Sequence, residues 1–299
     1  MRILVTGSHG FIGSALVGAL WQAGHSVVRL VRSRRGADTG QDIGWDIDAG
    51  WIDQPRLEGL GAVVHLAGEN LFGRWSRGKK RDILHSRVAG TGMLAGALAA
   101  ASARPRVLIS ASAVGYYGSR GDEELTEASP PGERSFLADV CRRWEQAAQP
   151  AAAAGIRVVH PRLGVVLHPS GGMLAAVLGL FRLGLGGPLG SGRQWLSWVS
   201  LDDLLAAVKL LIDRDDAAGP VNIVAPNPVT SEQFARTLAG VLGRPAALRA
   251  PAWAIRLAVG DMADEVALAS QRVRPARLEA MGFTFRQPSL PEALRGMLK

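Results

Sequence analysis

A single cysteine, Cys141, in 299 residues excludes an intramolecular disulfide framework and a thiolate-bound structural zinc. The compartment this usage predicts is the reducing cytoplasm. Long apolar runs are missing too: no uninterrupted apolar stretch reaches the roughly eighteen residues of a membrane span, and Gly7, Gly10 and Gly13 interrupt the mildly apolar start, with no small-residue cleavage pattern after it. Neither a membrane partner nor a secretory signal is expected. Lysine is scarce, confined to Lys79, Lys80, Lys209 and Lys299, so arginine carries most of the formal charge of +8. The densest basic groups, Arg32-Ser33-Arg34-Arg35 and Lys79-Lys80-Arg81, are short and lack the interleaved aromatics of a nucleic-acid platform, and no nucleic-acid partner is expected. His9, His25, His65, His85, His160 and His168 show no metal-ligand spacing, so no catalytic metal is predicted. Tyrosine occurs only at Tyr116 and Tyr117.

What is present is globular: 47% hydrophobic and 20% charged residues with 37 glycines. The length suits one large α/β unit or a domain with a smaller companion. Short apolar runs at 2–6, 26–31, 43–46, 61–66, 106–111 and 156–162 read as strands, and helical spacing covers 11–23, 79–101 and 136–153. Strands alternating with helices imply βαβ units and a doubly wound, Rossmann-type parallel sheet. After residue 165 Gly and Pro punctuate 168–192, a helix is expected to about Ile212, and Val221-Asn-Ile-Val reads as a further strand. The expected division is a dinucleotide-binding part over 1–165, rejoined at about 199–225, and a smaller, mostly helical substrate lobe over 166–299.

Thr6-Gly7-Ser8-His9-Gly10-Phe11-Ile12-Gly13 follows a strand directly and opens a helix directly. In such a loop Gly7 permits the tight turn, Gly10 lets backbone approach a pyrophosphate, and Gly13 lets helix and strand pack closely. The helix N-terminus then offers free N–H groups and a partial positive charge to phosphate. At the end of the second strand an NAD site places an acid on the ribose 2′-hydroxyl, whereas arginine suits a 2′-phosphate. Here stand Arg32, Ser33 and Arg34, with no acid before Asp38. The predicted cofactor is NADP(H).

These residues, with His65-Leu66-Ala67-Gly68, Ser110-Ala-Ser112 and Trp198-Val-Ser-Leu-Asp-Asp203, resemble the extended short-chain dehydrogenase/reductase superfamily. Gly68-Glu-Asn70, Arg74-Trp75, Ser86-Arg87, Ser112-Ala-Val-Gly-Tyr-Tyr-Gly118, Trp144-Glu145, Gly190-Ser-Gly-Arg-Gln-Trp195 and Ser270-Gln-Arg-Val-Arg-Pro275 look like its atypical, epimerase-like oxidoreductase subgroup. The resemblance implies that Gly7, Gly10, Phe11, Ile12 and Gly13, flanked by Thr6 and Ser8, hold the pyrophosphate, and that Asp46 sits near the adenine. It further implies that Leu66, Ala67, Gly68 and Glu69 line the ribose and phosphate path and that Arg162, Leu163 and Gly164 lie near the nicotinamide.

The superfamily's Tyr-x-x-x-Lys pair is where this chain departs. The register of Trp144-Glu145 puts Leu137 at the tyrosine position and Cys141 at the lysine position. Another proton donor is then needed, and Ser112, Tyr116 and Tyr117, just beyond a strand end, are the candidates. Trp75, Arg193, Gln194 and Trp195 are the candidate grip on a small-molecule substrate. Two functions follow: an NADP(H)-dependent oxidoreductase or epimerase acting on a small molecule, or a non-catalytic NADPH-binding regulatory or interaction protein. A homodimer stays open, because helices 79–101 and 136–153 show no diagnostic apolar seam.

Overall fold

Ile3, Leu4 and Val5 have no solvent exposure, the pattern of a strand covered on both faces. In the computed structural model, which describes residues 1–32 and 42–298, that strand is the centre of the main sheet. The first half runs β1 (Arg2–Thr6), α1 (Phe11–Gln22), β2 (Ser26–Arg32), β3 (Asp42–Asp46), β4 (Trp51–Ile52), β5 (Ala62–His65), α2 (Arg77–Ala100), β6 (Val107–Ser110), β7 (Ser112–Ala113), a 3₁₀ turn (Val114–Tyr117), β8 (Glu124–Leu125), α3 (Phe136–Ala147), α4 (Gln149–Ala153) and β9 (Arg157–Leu163). The second half runs β10 (Val165–Leu167), α5 (Gly172–Arg182), β11 (Trp195–Leu196), β12 (Trp198–Ser200), α6 (Leu201–Asp213), β13 (Gly219–Ile223), β14 (Val229–Thr230), α7 (Ser231–Val241), α8 (Ala252–Val259), β15 (Arg272–Val273), α9 (Ala276–Ala280) and α10 (Leu290–Leu298).

The main sheet has the order β13-β9-β6-β5-β1-β2-β3-β4, parallel except for β4, with β7 paired to β9 beyond the end of β6. It is the mixed α/β, Rossmann-type sheet the alternating pattern predicts. Strand order reverses between β1, β2 and β5, so a crevice opens at the carboxyl ends of these strands. Leu16, Val17 and Leu20 of α1 and Leu204, Val208 and Leu211 of α6 cover one face. Leu94 and Leu98 of α2, with Ala151 of α4, cover the other. A separate core joins α5, α7 and α10 through Leu174, Phe181, Phe234, Leu238, Leu290 and Leu294.

The single helix expected over 136–153 is two, α3 and α4, with Ala148 between them. Pro150 explains the break, since it has no N–H to donate and its ring crowds the carbonyl four residues back. The short antiparallel β4 makes the strand ending at His65 the fifth rather than the fourth. β10, β11 and β12, of two or three residues each, carry no alternation long enough to be read from sequence.

Candidate functional site

At the β1–α1 turn Gly7 has φ +64°, and a Cβ on Gly13 would fall 2.1 Å from the Gly7 carbonyl oxygen, so only glycine closes this turn. A Cβ on Gly7 would also meet the Leu66 carbonyl carbon at 2.9 Å, which brings the β5 end against the loop. Thr6 fixes that approach: its Oγ1 accepts from Leu66 N and Ala67 N, both at 3.0 Å. With both acceptor positions filled, Thr6 donates to His65 Nδ1 at 2.7 Å. Burial pushes the imidazole down to about 4, with the Arg87 charge adding to the effect, so His65 is neutral. Its proton therefore sits on Nε2 and is donated to Thr91 Oγ1 at 2.9 Å, the atom that also receives Trp144 Nε1–H.

The result is a cleft of about 420 Å³ lined by Gly7, Ser8, His9, Gly10, Leu30, Val31, Arg32, Trp45, Ile47, Leu66, Ala67, Gly68, Glu69 and Ser86. An adjoining hollow of about 400 Å³ continues past Arg32, Asp46, Asp48, Asp82 and His85. Gly10 caps α1 without any side-chain hydrogen bond, and the buried Ser8 Oγ has no partner among the described residues. An uncapped helix N-terminus beside an unmet hydroxyl suits an anionic group. Ser33 lies outside the described residues. Asp46 Oδ1 accepts from Ala49 N at 3.0 Å. Phe11 turns away from the cleft onto Gly171 and Gly172, and Ile12 packs against the sheet core.

Arg87, quoted above only as part of a family-like stretch, was given no place in the site by the sequence. It projects from α2 beneath Gly68, where a Cβ would lie 3.2 Å from its guanidinium carbon. Its Nη1 donates to the carbonyls of Glu69 and Ile83, its face covers the Trp144 ring at 5.0 Å, and it is 9% exposed. No carboxylate pairs with it among the described residues, and burial lowers its pKa. Cys141 and Glu69 oppose that shift. Glu69 is engaged by Lys79 at 2.6 Å, and its N–H donates to Ser86 Oγ at 2.9 Å.

Deeper along the strand ends, Arg162 of β9 and Glu145 of α3 form a bidentate pair. Ser112 Oγ donates to Glu145 Oε1 at 2.7 Å. Arg162 Nη1 donates to the Tyr117 oxygen at 3.0 Å, and Tyr117 donates to Asn222 Oδ1 at 2.7 Å. Asn222 Nδ2 in turn reaches the Arg274 carbonyl at 2.9 Å. Burial pushes Tyr117 up to about 12, against the opposing pull of Arg162. Burial also acts against the Arg162 charge, but Glu145 and Tyr117 together raise its pKa. The structure thus brings Ser112, Tyr117 and Arg162 together in one closed network. Glu145 and Asn222, its other members, left one sequence signal: Glu145 is a carboxylate on the buried stripe of α3 that holds Leu137 and Cys141, and such a position demands a cation.

Tyr116 differs from its neighbour. Its ring stacks under Arg162, with the guanidinium carbon 3.4 Å from the ring centroid; the residue is half-buried, and its hydroxyl makes no hydrogen bond among the described residues. Leu137 and Cys141 lie against Gly115 at the opposite side of that turn. Burial, and secondarily Glu145, pushes the Cys141 thiol up to about 11, so no thiolate forms near neutral pH. Leu163 ends β9 opposite Ile223 and packs on the sheet core.

The four substrate candidates do not form one patch. Trp75 is buried with Ile83, Leu137, Val140 and Met262, and its Nε1 donates to the Leu71 carbonyl at 2.7 Å. Gln194 turns inward to the carbonyls of Leu189 and Ala267. Trp195 donates to Asp122 at 2.7 Å beneath the Arg272 guanidinium, and Arg193 is exposed. Among the described residues no group of three or more His, Cys, Asp or Glu side chains could hold a metal, and no helix is long and apolar enough to cross a membrane.

Comparison with known proteins finds relatives over nearly the whole chain. An epimerase family protein of Mycobacterium bovis, Mb2239, is 42% identical over 293 residues, covering 98% of this chain and 96% of that protein. The crystal structure of the human epimerase family protein SDR39U1 (isoform 2) with NADPH superposes with a TM-score of 0.90 at 34% identity, over 99% of both chains. MoeE5 in complex with UDP-glucuronic acid and NAD superposes with a TM-score of 0.77 at 26% identity, over 98% of this chain and 96% of that one. Residues 250–297 match a domain of unknown function, DUF1731. Residues 3–224 match the NAD dependent epimerase/dehydratase family, and the chain belongs to that family.

Proposed function

We propose that this protein is an NADP(H)-dependent oxidoreductase or epimerase-like enzyme acting on a small molecule, with a proton donor other than a Tyr-x-x-x-Lys pair. The observation that carries the reading is the glycine-only turn at Gly7 and Gly13, open to a cleft that holds an uncapped helix N-terminus and the unpartnered Ser8 hydroxyl. The residues present fit a dinucleotide. Gly7, Ser8 and Gly10 would take the pyrophosphate, Arg32 and Ser33 the 2′-phosphate end, and Ala67, Gly68 and Glu69 the ribose path. Arg87 would add a buried positive charge beneath that path. A nicotinamide held there supplies or accepts a hydride.

Within this reading Arg162 orients the Tyr116 ring by stacking on its face, and Ser112, Glu145 and Tyr117 hold Arg162. Tyr116 carries the phenol free to hold or release a proton at a bound substrate, since the Tyr117 proton is committed to Asn222. The human relative solved with NADPH supports the phosphate-bearing cofactor, while MoeE5 was solved with NAD. The test is a fluorescence titration with NADPH and NADH, repeated on Arg32→Asp and followed by a turnover screen over carbonyl compounds and nucleotide sugars. NADPH binding that weakens selectively in the variant, with cofactor-dependent turnover, is the expected result. Binding of neither nucleotide overturns the reading.

A second reading, a non-catalytic NADPH-binding protein, is favoured by Leu137 and Cys141, the residues that the sequence register of Trp144-Glu145 assigns to the superfamily's tyrosine and lysine positions: both pack against Gly115, and the thiol stays un-ionised. NADPH binding without turnover, together with an NADPH-dependent affinity for a protein partner, would establish it.

A further inference from the structure

Among the described residues the four most exposed large apolar side chains, Leu183, Leu248, Trp253 and Leu257, lie along two adjacent segments and the helix that follows them. Gly184 lies against Pro245, Gly187 against Leu248, and Leu189 forms a parallel bridge with Ala250. Along this seam Leu183 is 73% exposed, Leu185 51% and Leu248 54%, and α8 continues it with Trp253 at 68% and Leu257 at 69%. No residue of α8 is buried. Trp253, Arg256 and Leu257, at i, i+3 and i+4, share one outward face of that helix.

The charge of the same face is mainly positive. Residues 171–195 and 241–260 contain Arg182, Arg193, Arg244, Arg249 and Arg256 and no aspartate or glutamate. Arg256 is met by Asp264 at 2.9 Å and Arg249 more loosely by Glu232 at 3.7 Å. Arg182, Arg193 and Arg244 are exposed and form no ion pair among the described residues.

We propose that this face docks on an anionic lipid surface. A tryptophan and leucines flanked by five arginines, of which Arg182, Arg193 and Arg244 form no ion pair among the described residues, complement a bilayer interface whose headgroups are negative: the apolar side chains enter the acyl boundary and the guanidinium groups stay at phosphate level. A second copy of the chain fits less well, because pairing this face with itself brings two arginine-rich surfaces together. Lipid docking requires no spanning helix. It would also set the loop after β5 beside the membrane, since Arg74 Nη1 donates to the Leu257 carbonyl at 2.6 Å and Trp75 N to the Val259 carbonyl at 3.4 Å.

The test is co-sedimentation of the full chain with phosphatidylcholine vesicles, with and without phosphatidylglycerol, at low and high salt. Binding that requires phosphatidylglycerol and falls with salt is expected. Arg182→Glu with Arg244→Glu should weaken it by roughly fivefold or more per arginine, at about 1 kcal/mol for each juxtamembrane arginine. Trp253→Ser with Leu257→Ser should reduce it as well, while circular dichroism and NADPH titration stay unchanged because neither residue is packed. Failure to bind anionic vesicles, equal binding to neutral ones, or binding indifferent to the Trp253 and Leu257 changes overturns the proposal. So does a dimer in light scattering that Trp253→Ser separates, or an acidic protein partner bound in place of lipid.

Discussion

Arg162 and Glu145 meet through two parallel hydrogen bonds, Nε to Oε1 at 2.8 Å and Nη2 to Oε2 at 2.9 Å, with the arginine side chain 3% exposed. Removing one partner leaves a buried charge uncompensated. Glu145→Ala is expected to cost about 3–5 kcal/mol in urea denaturation. Glu145→Leu combined with Arg162→Met should cost much less than the sum of the two single changes. Equal and additive losses would contradict a pair that acts as a unit.

The two adjacent tyrosines should separate cleanly. Tyr117→Phe strips a hydroxyl that receives Arg162 and feeds Asn222, and is expected to lose about 1–3 kcal/mol of stability. Tyr116→Phe keeps the ring under Arg162 and should change stability by no more than about 0.5 kcal/mol. If the Tyr116 phenol serves a substrate, the same change lowers turnover by roughly 10²–10⁴-fold without altering NADPH affinity. Unchanged turnover in an active enzyme would remove Tyr116 from the chemistry.

His65 gives the fold an acid limit. Its folded pKa is pushed down to about 4 by burial, with Arg87 assisting, whereas the unfolded imidazole titrates near 6.5. Between those values the unfolded chain takes up a proton that the folded chain refuses. The contribution is therefore complete above about pH 6.5 and falls as the pH drops to about 4, by roughly 3 kcal/mol in all. His160, also lowered by burial, acts in the same direction. Urea midpoints measured across this range should fall steeply for the native chain and less steeply for His65→Gln.

Gly13→Ala should abolish cofactor binding by displacing the turn. Its new Cβ would meet the Gly7 carbonyl oxygen at 2.1 Å, a backbone atom that cannot swing aside. Calorimetry with NADPH is expected to show at least roughly a hundredfold loss, with a stability cost of about 1–3 kcal/mol from overpacking. Gly18→Ala, where nothing lies within 4 Å, is the control and should bind normally.

The sheet was legible because each buried parallel strand is a short apolar run and each covering helix keeps its own period, as Leu16 and Leu20 show in α1. The glycine turn was legible because it follows a strand and opens a helix, a setting in which Gly7 and Gly13 leave no room for a Cβ. Glu145 and Asn222 were not, since their roles depend on partners 17 and 105 residues away, Arg162 and Tyr117. Arg87 was noticed as a family residue, but nothing local shows that its guanidinium runs under Gly68. Trp75 and Trp195 look alike in sequence, both loop indoles, and only tertiary packing tells that one is enclosed by Ile83 and Met262 while the other lies under Arg272.

Glu265, in the turn that follows α8, accepts hydrogen bonds from Ser135 Oγ and from the N–H groups of Phe136 and Leu137 at the start of α3. A residue far along the chain thus terminates the helix that carries Glu145. Modularity is limited accordingly. Exchanging the C-terminal segment for that of a relative must bring an equivalent acid along, or α3 frays and the arginine network loosens with it. The two matched regions can be told apart in the sequence, but they should melt in one transition and be inherited as one piece.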